Sequence, residues 1–369
     1  MKKNEEYIVT CIDDTDLNSG VVKIDDMVVF VPNLLIGEKA KIKIVKVNKK
    51  YAFGIIIELL KPSINRQELT CEVAKTCGGC QLQHMSYAYQ LDYKYKHVKK
   101  LFDDIEVKPI LGMDNPWYYR NKAQFPVKIK DGKVQMGFYR QHSNDVVTCK
   151  ECKIQDHVIN EVFSFIQKKI TLKMAQDLRH VFIRHSSTDE IQVVFIGKNE
   201  KNIISLSDQL KNTFANIKSI VFNYNTRNDN VILGDTYKVL YGNDSIIEEC
   251  LGNKVKLHFK AFFQVNPKQM EVLYSQAIKA ANLSGNETCI DMYAGTGTIG
   301  MAVSKHAKSV IGVEIVKEAV DNANDNTKMN HLDHCHYVCQ DATDFAHDHK
   351  EDKIDVIFID PPRKGMTEN

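Results

Sequence analysis

The chain has 369 residues, of which 43% are hydrophobic, and 49 Lys and Arg face 47 Asp and Glu for a formal net charge of +2. That length predicts two or three domains, each able to bury its own core, with the composition of an ordinary globular protein. No apolar run reaches bilayer length, and Met1-Lys2-Lys3 leads into polar and acidic residues, not into the core of a secretory signal. A cytoplasmic, monomeric protein with no membrane partner is expected. Ten cysteines in a reducing compartment point to metal ligation or catalysis, not to disulfides.

The first sixty residues read as a small β-barrel. Tyr7–Ile12, Gly20–Ile24, Met27–Val31, Glu38–Val47 and Tyr51–Leu60 are short β-rich runs separated by turn signals such as Asn18-Ser19-Gly20 and Asp25-Asp26. Five strands without a helix predict an OB-like fold. Lys41 and Lys43 alternate with Ile42 and Ile44, so the lysines share one exposed face. Residues 39–50 hold six lysines and no acid, followed by Tyr51 and Phe53. Such a strip suits a nucleic-acid backbone with stacked bases. The segment resembles a TRAM domain, through Phe30-Val31-Pro32-Asn33 and Gly37-Glu38 as well, which implies RNA as the partner and not DNA.

Pro62-Ser63 marks a boundary, followed by Cys71-x5-Cys77-Gly78-Gly79-Cys80 and later by Cys149-x2-Cys152. Three thiols within ten residues, with glycines that let the chain wrap, predict a metal loop. Cys77/Cys80 with Cys149/Cys152 would make a zinc ribbon, although the gap between the pairs is long for one. Cys71, Cys77, Cys80 and one later cysteine would hold a cubic iron–sulfur cluster. Tyr87–Phe102 reads as a helix, expected to dock on the C-terminal domain. Residues 117–140 carry six Lys or Arg and one acid, interleaved with Trp117, Tyr118, Tyr119, Phe125, Phe138 and Tyr139. Charge for phosphates and flat faces for bases fit single-stranded RNA, and an amphipathic hairpin on a core fits as well. Two βαβ-like stretches follow, with a helix over Ile203–Phe214. His180, His185 and His258 receive no role.

The C-terminal domain opens at about residue 259. Asn266 caps a helix with Pro267 at its first position and Met270, Leu273, Ala277 and Ala281 as the expected buried stripe. Thr288-Cys289-Ile290-Asp291 then reads as a strand that opens into Gly295-x-Gly297-x-x-Gly300, with a helix from about Thr298. Glu314 lies nineteen residues beyond Gly295, at the end of a second strand, where a ribose-binding acid belongs. This spacing fits both NAD and S-adenosylmethionine (SAM). Asp360-Pro361-Pro362-Arg363-Lys364-Gly365 decides between them. An acid followed by two prolines at a strand's carboxyl end makes a rigid, N–H-poor ledge in the ligand crevice, suited to a planar nitrogenous ring. SAM is expected. A third strand delivers Asp341 to the adenine or its ribose.

Taken in order, Cys-x5-Cys-Gly-Gly-Cys-Gln-Leu-Gln-His, Tyr119-Arg120-Asn121-Lys122-Ala123-Gln124, Gly137-Phe138-Tyr139, Cys152-x-Ile154-Gln155, Phe262-Phe263-Gln264-Val265-Asn266 and Asp360-Pro361-Pro362-Arg363 resemble one family. It is the bacterial RNA uracil-5-methyltransferases, in the branch with a TRAM domain and a 4Fe–4S cluster that acts on 23S ribosomal RNA. The resemblance runs from the barrel to the last residue. It implies Cys71, Cys77, Cys80 and Cys152 as cluster ligands, with Cys149 the less suited fourth. It also implies Gln264, Tyr293 and Thr298 as SAM contacts, beside Glu314, Asp341 and Asp360. The implied fold is a multidomain α/β protein: a TRAM barrel over 1–62, an iron–sulfur and α+β RNA-binding domain over 63–258, and a Rossmann-like SAM domain over 259–369.

The chain departs from that family in one respect. The family's nucleophilic cysteine lies in a Ser-Cys-Asn-Pro motif after Asp-Pro-Pro-Arg and its base near the C-terminus, and neither motif occurs here. No catalytic residue is therefore assigned. A shortened methyltransferase domain with a bare sheet edge is expected, with doubtful activity of this chain alone. A non-catalytic RNA- or SAM-binding protein, a transfer-RNA uracil methyltransferase and an NAD oxidoreductase are the other readings.

Overall fold

The computed structural model describes all residues except 103, 364 and 367–369, so Lys364 of the ledge motif lies outside the described residues. The chain divides into two units, residues 1–116 with 138–149, and residues 117–137 with 150–369.

In the first unit the expected strands appear as Glu6–Thr10, Ser19–Ile24, Met27–Pro32, Lys39–Val47 and Tyr51–Lys61. A two-residue strand, Asp13–Asp14, is added to them. It continues the first strand past a kink, so that one half pairs with Lys39–Val47 and the other with Ser19–Ile24. One strand thus joins both edges and closes the barrel. Alternation decides the faces: Val22, Val29, Val31, Ile42 and Ile44 are fully buried while Lys41 and Lys43 point outward.

Glu38 ends the loop before the fourth strand and is completely buried. Its carboxylate accepts hydrogen bonds from the N–H groups of Leu35 and Ser63 at 2.9 and 3.0 Å, and from Arg66 Nε and Nη2 at 2.6 and 2.7 Å. Burial alone would raise its pKa, but the Arg66 guanidinium and these N–H groups hold it below the ordinary value.

Ser86 caps a helix over Tyr87–Lys99. This is the helix expected to reach Phe102 and to dock on the C-terminal domain. Its contacts within this unit are with the barrel. Tyr93 is buried and donates to Thr15 O, Asn18 N–H donates to Tyr93 Oη at 3.1 Å, and His97 Nε2 lies 2.9 Å from Asp14.

In the second unit six strands form one sheet, in the order Tyr237–Gly242, Ile217–Tyr224, Ile191–Gly197, Leu178–His185, Lys122–Lys130 and Lys133–Met136. All seven residues of Ile191–Gly197 are buried, as a strand covered on both faces requires. The hairpin Ser245–Cys250/Asn253–His258 follows. Its Ile246, Val255 and Leu257 share a core with Phe263, Met270, Tyr274 and Met301,

The C-terminal layer has four parallel strands, in the order Cys335–Cys339, Ser309–Glu314, Thr288–Met292 and Val356–Ile359. Helices Thr298–Ser304, Lys317–Met329 and Ala342–Asp348 connect them. This is the doubly wound arrangement, in which ligands sit at the carboxyl ends of the strands. The helix Pro267–Ala281 begins as expected, with Asn266 Oδ1 accepting from Gln269 N–H at 3.2 Å. Its buried stripe differs. Tyr274, four residues after Met270, fills the place against the hairpin and Met301, and Leu273 is left 61% exposed. Val356–Ile359 stands at the sheet edge, and its Ile357 and Ile359 are each 48% exposed.

Candidate nucleotide and RNA sites

The glycine turn is built as the sequence predicts. Strand Thr288–Met292 gives way to Tyr293, Gly295 and Gly297, all at positive φ (62°, 56° and 80°), and the helix starts at Thr298. Gly297 occupies the helix N-cap and lets the first N–H groups face the crevice. Glu314 arrives from the second strand and ties the turn down. One of its oxygens accepts Gly295 N–H at 3.0 Å and the other Val316 N–H at 2.9 Å. The expected ribose acid is therefore also a staple of the turn.

Asp291 was not singled out beyond ending its strand, yet it is the most perturbed acid here. It is fully buried, Oδ2 accepts Gly300 N–H at 2.7 Å, and Oδ1 has no hydrogen-bond partner. Burial, with the charges of Asp360 and Glu314, pushes its pKa up to about 7. These three carboxylates thus sense one another at the carboxyl end of the sheet. Thr298 Oγ1 lies 3.5 Å from Tyr274 Oη. Asp341 caps the helix Ala342–Asp348, its Oδ1 accepting from Thr343 and Asp344. Gln264 is half-buried beside the strand Lys122–Lys130, where Asn121 N–H donates to Val265 O at 3.0 Å.

The sequence reading also missed Tyr337. In the parallel register it stands opposite Gly312, and its hydroxyl donates to Gly297 O at 2.7 Å. A Cβ on Gly297, Gly300 or Gly312 would meet this phenol at 2.6, 2.5 or 1.9 Å. Two glycines of the fingerprint are therefore required by a neighbouring ring as well as by a ligand. The small–large pair carries a signal only once the strand register is known.

On the barrel, Phe30, Tyr51 and Phe53 form a mutually packed trio with ring centroids 5.5–5.9 Å apart, and Lys46 stands opposite Phe53 in the ladder. Lys41 differs from its neighbours, because Glu6 pairs with it at 2.7 Å. Of the aromatics at 117–140, Phe125 is core, stacked on Phe163 at 4.3 Å. Tyr118 stacks on His157 at 3.8 Å and bonds to Glu151 at 2.8 Å. For these two the hairpin-on-a-core alternative holds. We expect RNA affinity to fall with salt, each single-strand phosphate contact adding about −0.7 to the slope of log K against log salt. Replacing Lys43 and Lys46 by alanine should flatten the slope more than replacing Lys41 and Lys43. Equal slopes would remove this face from the interface.

All ten cysteines are free. Cys71 acts electrostatically on Cys77, and Gly79 N–H donates to Cys77 Sγ at 3.4 Å. These features suit thiolate ligands, but among the described residues no three His, Cys, Asp or Glu side chains converge on a metal position. Cys152 is held by Asn160, which accepts its N–H at 2.8 Å and donates to its carbonyl at 3.1 Å.

A parallel sheet whose glycine turn is stapled by a second-strand carboxylate, on one chain with an OB-like barrel, defines a nucleotide-binding enzyme fold with an RNA-type accessory domain. The TRAM domain model matches residues 3–57, and the model described as conserved hypothetical protein 95 matches residues 271–367. An uncharacterized RNA methyltransferase of Staphylococcus aureus (strain MRSA252) is 39% identical over 99% of this chain and 85% of its own. One from Halalkalibacterium halodurans is 40% identical over 100% and 85%. The chain belongs to this family of RNA methyltransferases. At the level of fold, it superposes with a TM-score of 0.73 on the tRNA (uracil-54, C5)-methyltransferase of Pyrococcus abyssi in complex with S-adenosyl-L-homocysteine. That match has 24% identity and covers 97% of this chain and 84% of the other.

Proposed function

We propose that residues 1–369 hold SAM and RNA for methylation of uracil at C5, with 23S ribosomal RNA as the substrate. The observation that carries this reading is the joint placement of the stapled glycine turn, Glu314 and the Asp360-Pro361-Pro362 ledge at one end of the sheet. The motif resemblance and the ligand of the Pyrococcus abyssi neighbour support it. SAM supplies an electrophilic methyl group. Glu314 takes the ribose hydroxyls, Tyr293, Thr298 and Asp341 line the nucleoside, Gln264 meets the methionine end, and Asp360 with its prolines faces the base.

Uracil C5 becomes nucleophilic when a thiolate adds to C6. Burial pushes the thiols of Cys250, Cys289 and Cys335 up to about 12, 11 and 11, so they are poor candidates. Cys339 is exposed at the end of the third strand, with Sγ 3.5 Å from Ile315 O. The polypeptide 1–369 is accordingly expected to bind SAM without forming 5-methyluridine. Calorimetry should show SAM binding that Glu314→Ala weakens by roughly 1.5–3 kcal/mol for each charge-assisted hydrogen bond lost. Unchanged affinity in that variant would remove Glu314 from the site. Incubation with labelled SAM and unmodified ribosomal or transfer RNA tests the rest. Multiple turnovers would overturn the view of the cysteines, and turnover on transfer RNA alone would replace the substrate.

We also propose a 4Fe–4S cluster on Cys71, Cys77, Cys80 and Cys152. Anaerobically purified protein should be brown and carry about four iron atoms. Cys152→Ser should lose the iron and Cys149→Ser should keep it. Stoichiometric zinc without visible absorbance would exclude the cluster.

A further inference from the structure

Three cations meet where the strand Lys122–Lys130 begins. Lys122 and Arg184 are partners across the antiparallel ladder, and the charges of Arg184 and Arg120 both act on Lys122. Arg184 is 1% exposed and well provided for. It donates to His258 O at 3.3 Å and to Ala261 O at 2.8 Å, and the buried Glu248 offsets its charge. The other two are not. Arg120 Nε is buried and has no hydrogen-bond partner. The Lys122 ammonium is flanked by the faces of Phe182 and Phe262, 5.9 and 6.0 Å from the ring centroids, and makes no hydrogen bond or ion pair among the described residues. Burial and the two like charges push its pKa down to about 8.

Keeping two half-buried cations together without an anion opposes folding, and such arrangements mark sites where a ligand supplies the missing charge. The location narrows the ligand. The hydrogen bond from Asn121 N–H to Val265 O sets Arg120 and Lys122 alongside Phe262–Val265, the stretch that carries Gln264. Phe262 is 67% exposed at the mouth of this cluster. A guanidinium fork next to a compact ammonium suits a tetrahedral oxyanion.

We propose that Arg120 and Lys122 form a socket for one backbone phosphate of the RNA substrate, seating the nucleotide that enters beside Phe262. This rests on the RNA-methyltransferase reading and adds to it a specific anion site. A carboxylate, such as that of the SAM methionine, shares the required charge and is separated from phosphate by the test.

Lys122→Met and Arg120→Met are compared with the wild-type chain in two titrations, SAM by calorimetry and a fluorescein-labelled oligouridylate by anisotropy across a salt series. Each variant should bind SAM as the wild type does, bind the oligouridylate about fivefold more weakly at physiological salt, and lose about 0.7 from the salt slope. Lys122→Arg should restore both quantities. The melting temperature of Lys122→Met should not fall, because an unpaired charge has been removed. Weakened SAM binding with unchanged oligouridylate binding assigns the cluster to the methionine carboxylate and overturns the phosphate socket. Wild-type RNA binding that both variants share also overturns it and leaves the RNA reading standing. Failure of the wild type itself to bind the oligouridylate removes both.

Discussion

Gly312→Ala should unfold or severely loosen the C-terminal layer. The new Cβ would lie 1.9 Å from the Tyr337 ring, a distance no side-chain adjustment can absorb, because Tyr337 is itself buried between the second strand and the glycine turn. Insertion of a methyl group into a packed core costs about 1–3 kcal/mol, and a contact this short, with backbone on one side, belongs at or above the upper limit. The ring is also fixed from its far end, since its hydroxyl holds Gly297 O. Pushing it out would therefore deform the turn expected to receive SAM. Thermal unfolding and SAM calorimetry should move together in this variant. Tyr337→Phe should cost only about 1 kcal/mol, the usual net worth of one hydrogen bond. Adding Tyr337→Ala to Gly312→Ala should recover stability relative to Gly312→Ala alone, because the two positions are coupled. A Gly312→Ala protein with wild-type melting behaviour would show that the strands part easily, against the packing described above.

Arg66→Met should destabilise the first unit by about 3 kcal/mol at neutral pH. The removed guanidinium leaves Glu38 buried, and breaking a buried pair typically costs about 3–5 kcal/mol. The lower figure applies because the N–H groups of Leu35 and Ser63 still solvate the carboxylate. The effect should depend on pH with a definite sign. The native Glu38 pKa lies below its ordinary value, so its contribution is present above that value and is lost as pH falls through the native pKa. The difference between the two proteins should therefore shrink on acidification. Chemical denaturation at several pH values measures it. A pH-independent difference would mean that Arg66 acts through packing alone.

The local elements were legible because period and turn chemistry are written along the chain. The barrel strands, the cap at Asn266 with Pro267 behind it, and the helix start at Thr298 all stand within a residue or two of the positions that alternation and glycine spacing predict. Where side chains had to be divided between core and ligand, the sequence was weaker. Phe125 and Tyr118 read as RNA-facing aromatics, yet they pack on Phe163 and His157, residues more than thirty positions away. Leu273 fits a helical stripe as well as Tyr274 does, and only the shape of the opposing hairpin chooses between them. The helix Tyr87–Lys99 shows an amphipathic pattern but not its partner, which is supplied by Thr15, Asn18 and Asp14 of the barrel.

The sequence by itself determined the class of each domain, the place of the nucleotide turn and the identity of its acid at Glu314. These depend on short-range rules: which residues tolerate positive φ, which faces alternate, and which spacing brings a carboxylate to the next strand end. Only the tertiary structure decided how the carboxylates at the sheet end are used, why Gly312 must be small, and which cations stand without a counter-charge. Those properties depend on burial and on strand register, which bring residues close in space across long stretches of chain. The unpaired state of Lys122 exists only because the folded sheet sets it against Arg184 and closes Phe182 and Phe262 around it.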